Sequence, residues 1–274
     1  MTDAPHLPTA AGLAYRAGGP EDGPLAVCLH GWPESSWMWR PTLAALASRG
    51  IRGLAPDLPG YGESPLQGTG SWADHVAAFG AFVDAVSPTG PIVLVVHDWG
   101  GLIGLRWACD NPGRTRALVI ADTGFFADGS WHGLADAMRT PGTGEELIRG
   151  MTREAFGAAL GAISPGIDED AADEYFRAFA TDEQRLAQLE LYRSGEFSEL
   201  EGYEGRLGAL GVPALIIWGG KDEFAPVAGA YRFAQDIQDS AVEVIEEAGH
   251  FVADDAPEVF AEHVATFAAG VTGA

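Results

Sequence analysis

The chain has 274 residues, 47% of them hydrophobic, and its 39 acidic residues outnumber 16 basic ones to give a formal net charge of −23 at pH 7. This length and composition suffice for one large core, or for a core with a lid. The negative charge excludes nucleic acid as a partner, because phosphates would be repelled. No apolar run approaches the roughly 20 residues of a membrane span, and the N-terminus lacks the pattern of a signal peptide. We therefore predict a cytoplasmic protein with no membrane partner.

Short apolar runs predict buried strands, and the amphipathic stretches between them predict helices. This alternation is typical of βα units that build a mainly parallel sheet with helices on both faces. The runs are continuous rather than alternating, as expected for parallel strands that are buried on both sides. The predicted strands are Leu25–Leu29, Gly53–Pro56, Ile92–Val96, Ala117–Ala121, Ala214–Trp218 and Val242–Ile245.

The alternation stops between residues 124 and 210, where the pattern predicts short helices and no clear strand. A helical insertion at this point would cover the carboxyl edge of the sheet, where open α/β sheets bind ligands. We therefore predict a core domain of residues 1–123 and 211–274 and a helical cap of residues 124–210, with packing helices that have no lid role as the alternative. The predicted cap helices are Gly129–Met138, Gly144–Ile148, Arg153–Leu160, Glu169–Phe179 and Asp182–Tyr192.

The turn after the third predicted strand carries the most informative chemistry. Residues 92–101 read IVLVVHDWGG, a buried strand that ends at Asp98 and is followed by two glycines. The pattern predicts a strand-to-helix nucleophile elbow with Asp98 in place of the usual serine. A carboxylate there favours attack on an sp³ carbon that bears a leaving group, which gives an ester on the enzyme. The alternative is that Asp98 only caps the following helix.

Two further turns fit the same mechanism. Residues 30–34, HGWPE, follow the first predicted strand, and we expect the backbone N–H groups of Trp32 and Trp99 to form an oxyanion hole. His250 follows the last predicted strand and titrates near neutrality, so it is the predicted general base. His97 is predicted to support the elbow, and His75 to lie on a helix surface.

Two acids compete to orient His250, because each follows a strand that ends near it. We prefer Asp222, whose loop contains the flexible glycines of Trp218-Gly219-Gly220 and lets a side chain turn inward. Asp122 ends the strand after the elbow and remains the alternative acid. Asp98, an acid and then His250 follow the chain order of the α/β hydrolases.

These motifs together resemble the α/β hydrolases of the haloalkane dehalogenase and epoxide hydrolase group, whose nucleophile is an aspartate. The resemblance implies an α/β-hydrolase fold: an eight-stranded, mainly parallel central sheet flanked by helices, with a helical cap inserted after the strand following the elbow. Only 24 residues precede the first predicted strand, so we expect short N-terminal strands. The matching segments span most of the chain but are weak in the cap: HGWPE at 30–34, PDLPGYGES at 56–64, VVHDWGG at 95–101, WGGKDEF at 218–224 and AGHF at 248–251.

The same resemblance implies the roles of nucleophile for Asp98, base for His250 and orienting acid for Asp222 or Asp122, with no metal or organic cofactor. Cys28 and Cys109 show no metal-ligand spacing, which agrees with this expectation.

The pattern leaves two leaving groups open, because a halide and an epoxide oxygen need different donors. Residues 124–160 contain no tyrosine but do contain Trp131, which with Trp99 would form a two-indole halide site, as in one branch of the haloalkane dehalogenases. Val96, two residues before Asp98, is also common in those enzymes. Tyr192 resembles the second of the two cap tyrosines with which epoxide hydrolases protonate their leaving oxygen.

We therefore predict a hydrolase of neutral haloalkanes. Epoxide hydrolysis to vicinal diols is the second hypothesis, and a ligand-binding scaffold without turnover is the third. The expected partner is a small neutral hydrophobic substrate. Trp131 as a residue that only anchors the cap stays open as an alternative, and so does the choice between monomer and homodimer.

Overall fold

The computed structural model describes residues 6–274, and its strands form one sheet. The strands are β1 (Thr9–Ala10), β2 (Leu13–Gly18), β3 (Leu25–Leu29), β4 (Arg52–Pro56), β5 (Ile92–His97), β6 (Thr115–Ala121), β7 (Ala214–Gly219) and β8 (Ser240–Ile245). Their order is β1-β2-β4-β3-β5-β6-β7-β8. β2 pairs antiparallel with β1 and β4, and the other neighbours pair in parallel. The predicted α/β-hydrolase architecture is therefore confirmed.

All six predicted strands are present, with bounds that differ by two residues or fewer. No apolar run predicted the N-terminal hairpin of β1 and β2. Only Leu13 and Ala14 of these two strands are buried. In contrast, every residue of β5 and of β7 is buried. Since successive side chains of a strand point to opposite faces, full burial means that the centre of the sheet is covered on both sides.

Helices follow the strands in the order expected for βα units. They are α1 (Arg40–Ser48), α2 (Trp72–Val86), α3 (Trp99–Asp110), α4 (Gly133–Arg139), α5 (Thr143–Gly150), α6 (Arg153–Ile163), α7 (Glu169–Phe176), α8 (Asp182–Arg193), α9 (Arg206–Ala209), α10 (Ala228–Asp236), α11 (Val252–Asp255) and α12 (Pro257–Thr272). α1 packs against α12, and α2 packs against α3. Among residues 6–274, no helix is both long and apolar enough to cross a lipid bilayer.

Helices α4 to α9 all lie between β6 and β7, and residues 124–210 contain no strand. The first of these helices begins at Gly133 rather than at the predicted Gly129. His132 explains the later start, because it occupies the N-cap position and its Nδ1 accepts a hydrogen bond from the N–H of Ala135, 3.3 Å away. α8 packs against both α4 and α5, so these helices form a layer of their own.

The prediction for His75 is wrong. This residue lies on the buried face of α2 and keeps only 1% of its exposure, with its ring 6.1 Å from that of Tyr61. Burial lowers its pKa to about 3, so the ring is neutral in the folded protein. The helical spacing identified the element but not which face of it points inward.

Candidate active site

Asp98 occupies a strained turn between β5 and α3, with φ of 46° and ψ of −123°. A non-glycine residue rarely adopts a positive φ, and such strain concentrates at functional sites. The turn is tight on its inner side, since a Cβ on Gly100 would lie 2.2 Å from the carbonyl oxygen of Leu29. Asp98 is the N-cap residue of α3, but its side chain makes no capping hydrogen bond. The elbow therefore presents the carboxylate rather than using it to close the helix.

The two oxygens of the Asp98 carboxylate have different surroundings. Oδ2 accepts a hydrogen bond from the backbone N–H of Trp32 at 2.8 Å, and the backbone N–H of Trp99 also donates to the carboxylate. Oδ1 lies 3.5 Å from Nε2 of His250. Burial acts to raise the pKa of Asp98, but the hydrogen bond and charge of His250 outweigh it and lower that pKa below its usual value. The carboxylate is thus an anion held by two backbone donors.

His250 lies between Asp98 and Asp222. Its Nδ1 is 2.9 Å from Oδ2 of Asp222, whose Oδ1 accepts hydrogen bonds from the backbone N–H groups of Phe224 at 2.7 Å and Ala225 at 2.9 Å. Burial opposes the charged form of His250, but the two carboxylates more than compensate and raise its pKa well above the usual value. The imidazole ring of His250 is therefore positively charged while both acids are ionised.

Asp122, the alternative acid, has another arrangement. Its Oδ1 accepts a hydrogen bond from the N–H of Gly219 at 2.8 Å, and its Oδ2 has no partner among residues 6–274. Burial, reinforced by the charge of Asp222, raises the pKa of Asp122 well above its usual value. The structure thus brings Asp222, and not Asp122, into hydrogen-bonding contact with His250.

A buried ion pair that the sequence analysis missed lies beneath the base. Nδ1 of His97 is 2.7 Å from Oε2 of Glu34, both side chains are fully buried, and Nε2 of His97 is 2.7 Å from the carbonyl oxygen of His250. Burial would lower the pKa of His97, but Glu34 raises it to about 9. With both ring nitrogens protonated, His97 can donate to Glu34 and to the backbone of His250 at once. The sequence signal available for this ion pair was an acidic residue, Glu34, in the HGWPE turn after an apolar strand.

Two cavities meet at Asp98 and His250. One has a volume of about 300 Å³ and reaches the ion pair between Arg232 and Asp128, 2.7 Å apart. The other has a volume of about 240 Å³ and continues between α4, α5 and α6, where apolar side chains line it. We call them the polar branch and the apolar branch. Both are lined by Asp98, His132, Tyr192, Phe224 and His250.

The fold agrees with comparisons to known proteins. The family model for the alpha/beta hydrolase fold matches residues 24–257. The chain belongs to the α/β-hydrolase family. It is accordingly an enzyme of the hydrolase type.

Individual relatives of the hydrolase cover nearly all of its length. A haloalkane dehalogenase of Bradyrhizobium diazoefficiens is 27% identical over 94% of this chain and 91% of its own. A cis-3-alkyl-4-alkyloxetan-2-one decarboxylase of Xanthomonas campestris is also 27% identical, over 93% of this chain and 91% of its own. The crystal structure of a haloalkane dehalogenase from Bradyrhizobium elkani superposes with a TM-score of 0.84, at 28% identity and 95% coverage of both chains.

The residues predicted to bind the leaving group lie in one aromatic cluster beside Asp98. The ring of Trp131 stacks on that of Trp99, with centroids 5.6 Å apart and planes inclined by 23°. Its indole N–H is buried and has no hydrogen-bond partner among residues 6–274. Tyr192 lies edge-on to Trp99 at 5.2 Å, and burial, reinforced by the charge of Asp98, raises its pKa well above the usual value. Tyr175, by contrast, lines neither branch and donates to Asp254 at 3.0 Å.

His132 is a second polar group of the cap that the sequence analysis did not select. Its Nδ1 accepts the capping hydrogen bond from Ala135, so in the neutral ring the proton is on Nε2. That N–H has no protein partner among the hydrogen bonds of residues 6–274, and the residue lines both branches. Burial lowers the pKa of His132, which keeps the ring neutral. Its position directly after Trp131 and before a helix was the only sequence signal.

Proposed function

We propose that this hydrolase cleaves carbon–halogen bonds of neutral haloalkanes through an ester formed on Asp98. The observation that carries the proposal is the asymmetry of the Asp98 carboxylate, where two backbone N–H groups bind the carboxylate and Oδ1 faces His250 at 3.5 Å. Its relatives include haloalkane dehalogenases that align over almost the whole chain. Trp131 adds support, because it lines the polar branch next to Trp99 and its buried indole N–H lacks a hydrogen-bond partner among residues 6–274.

In the first step, Oδ1 of Asp98 attacks the carbon that carries the halogen. The new C–O bond forms as the carbon–halogen bond breaks, and the halide leaves with the bonding electron pair. The product is a neutral alkyl ester of Asp98. Because the step creates a small anion in a site of low polarity, N–H donors beside the reacting carbon lower its barrier.

In the second step, water cleaves this ester at the carbonyl carbon of Asp98. The two backbone N–H groups stabilise the oxyanion that forms, and losing one such donor typically costs about 2.7–4 kcal/mol. Esterification also removes one of the two negative charges that hold the proton on His250. The pKa of His250 therefore falls after the first step, and the ring releases its proton to solvent. The neutral ring then takes a proton from the attacking water and gives it to the alkoxide as the tetrahedral intermediate collapses, so the alcohol leaves. The Asp98 carboxylic acid passes its remaining proton back to His250, which restores the starting state.

The test uses 1-bromohexane with the wild-type protein, Asp98→Ala and His250→Gln. We expect bromide release by the wild type, and a loss of about 10⁴-fold or more in Asp98→Ala because the nucleophile is gone. His250→Gln should still form the ester but not hydrolyse it, so the intact protein gains the mass of one hexyl group. Peptide mapping should locate that mass on Asp98.

A wild-type protein that releases no bromide from any member of a haloalkane panel, together with His250→Gln that gains no mass, would contradict the proposal. The same panel includes styrene oxide and a cis-3,4-dialkyl oxetan-2-one, for which diol and carbon dioxide are measured. A substrate that is bound but never turned over would instead favour the scaffold hypothesis.

Epoxide hydrolysis is the second candidate, and Tyr192 is the observation that favours it. Tyr192 lines both branches together with Asp98, and its raised pKa keeps its hydroxyl protonated. Opening an epoxide moves the bonding pair to oxygen, which then needs a proton donor. If this reaction dominates, Tyr192→Phe should lower diol formation at least about 100-fold and bromide release less than about fivefold. Equal losses in the two reactions would argue against a proton-donating role.

A further inference from the structure

The apolar branch has a different character from the rest of the site. Beyond the residues it shares with the polar branch, its wall is built mainly from apolar side chains of α4, α5 and α6, and Trp32, Met151 and Phe251 complete it. The helices contribute Leu134, Met138, Leu147, Ile148, Phe156, Ala159, Leu160 and Ile163. A polar group buried there would have to give up water without a replacement partner, whereas each methylene group would gain by leaving water. The branch therefore suits a hydrocarbon substituent and disfavours a polar one.

The volume of the branch sets the size of that substituent. A water-sized group occupies about 30 Å³, so about 240 Å³ has room for about eight carbon atoms. Ala159 and Ile163 of α6 line the branch and are both exposed, Ile163 by 38%. A longer chain would therefore pass these residues toward solvent, where further methylene groups add little.

The polar branch has a mixed environment, because aromatic side chains such as Phe126 and Phe197 share its wall with charged ones. Asp122, Asp128 and Arg232 contribute to its wall, and the ion pair between the last two is exposed. A chain placed there would have to displace water from charged groups. The two branches thus separate an apolar arm from a polar one at the reacting carboxylate.

We propose that the apolar branch binds the hydrocarbon substituent of the substrate, which is an unbranched alkyl chain or a ring-bearing chain of about six to eight carbons with no polar group at its far end. The assignment names the substrate class of the proposed function and rests on it. Chain length, rather than the leaving group alone, then sets the preference of the enzyme.

Two measurements test the assignment. The first is kcat/KM for bromide release from 1-bromoalkanes of two to twelve carbons, which should rise by up to about fourfold per methylene group and level off near eight carbons. The second is equilibrium binding of 1-alkanols of the same lengths, which needs no turnover. 1,6-Hexanediol should bind at least about tenfold more weakly than 1-hexanol, because its second hydroxyl would be buried without a partner.

Three matched variants locate the chain. Ala159→Trp places an indole in the apolar branch, Ala158→Trp places the same group on the exposed outer side of α6, and Ala228→Trp places it in the polar branch. Ala159→Trp should weaken 1-octanol binding and lower kcat/KM for 1-bromooctane at least about tenfold, with less than about twofold effect on bromoethane. Ala158→Trp should change none of these values by more than about twofold.

The outcomes separate this assignment from the proposed function. Alkanol binding that grows with length and is lost in Ala159→Trp supports the apolar branch even if no bromide is released, in which case the dehalogenase proposal fails alone. Bromide release with no dependence on length overturns the assignment while the dehalogenase proposal stands. Loss of the length dependence in Ala228→Trp but not in Ala159→Trp overturns it as well.

Discussion

At the scale of single residues, Asp98 depends on neighbours that hold each of its oxygens in a different way. Trp32 and Trp99 bind the carboxylate through backbone N–H groups, which no side-chain substitution removes directly. Within the described residues 6–274, His250 is the titrating group that faces Oδ1, and its Nδ1 is hydrogen-bonded to Asp222. Substitutions of the orienting acid are therefore the most informative probes of this chain of contacts.

Asp222→Asn and Asp122→Asn should have unequal effects on bromide release. Asparagine at 222 can offer an N–H to Nδ1 of His250 and so favour the wrong tautomer, which should cost about 10²–10⁴-fold in kcat and let the Asp98 ester accumulate. Asparagine at 122 keeps an oxygen for the N–H of Gly219 and should cost less than about fivefold. Steady-state rates and intact mass measure both effects. The reverse ranking would make Asp122 the orienting acid.

His132 should act in the first chemical step, through its Nε2–H group. His132→Gln keeps a donor near the position of Nε2 but loses the cap on α4, whereas His132→Asn keeps the cap but loses the donor. On a His250→Gln background, we expect His132→Asn to slow ester formation about 100-fold and His132→Gln to slow it less than about tenfold. Thermal unfolding should show the opposite order, with about 1 kcal/mol lost in His132→Gln. Equal rates in the two variants would leave His132 with a capping role only.

At the scale of elements, the segments that follow β3, β5 and β8 meet at the Glu34–His97 ion pair, and His97 also contacts the backbone of His250. Glu34 lies in the turn after β3, His97 ends β5, and the carbonyl that His97 reaches belongs to His250 after β8. Parallel strands bring these ends to one edge of the sheet, so three distant segments of sequence are fixed against one another. Removing either side chain would leave the other as an unpaired buried charge, which would strongly destabilise the folded protein.

The Glu34–His97 pair makes stability depend on pH in a defined direction. The pKa of His97 rises from 6.5 unfolded to about 9 folded, so the pair stabilises fully below about pH 6.5 and its contribution is lost as the pH rises toward 9. We expect the advantage of wild type over the Glu34→Gln/His97→Gln variant to shrink by on the order of 3 kcal/mol over that range. Denaturant unfolding at several pH values measures it. Burial and the charge of Glu34 raise the pKa of Asp254 to about 8, so Asp254 titrates in the same range, and both proteins should carry Asp254→Asn as a common background. An advantage independent of pH would contradict the prediction.

Patterns along the chain predicted elements well where one physical signal dominates. The central strands are fully buried, so continuous apolar runs revealed them, and the elbow has a motif of its own. β1 is the edge strand and β2 lies beside it, and both are partly exposed and rely on pairing rather than on apolar burial, so no run marked them. α4 began late because a histidine, which is not a usual cap, took the N-cap position.

The candidate site divides in the same way. Asp98, His250 and Asp222 follow strands at one sheet edge and belong to motifs, so the sequence could bring them together. Glu34 and His132 make contacts that depend on how loops from different parts of the chain meet in space, and neither sits in a pattern with a chemical reading of its own. Trp131 was found from its position in residues 124–160 and from the resemblance to one branch of the haloalkane dehalogenases, but its stacking on Trp99 required coordinates.

At the scale of the whole molecule, Trp32 connects the core to the cap. Its backbone N–H holds Oδ2 of Asp98, while its indole N–H donates to Oε1 of Gln188 in α8 at 2.6 Å. Lifting α8 away from the core would pull on the same loop that steadies the reacting carboxylate. Arg232 and Asp128 at the polar branch and Ile163 at the apolar branch are exposed, and none of them takes part in this hydrogen bond. We therefore expect substrate and product to pass these exposed residues without breaking the hydrogen bond between Trp32 and Gln188, so that the loop bound to Asp98 stays in place.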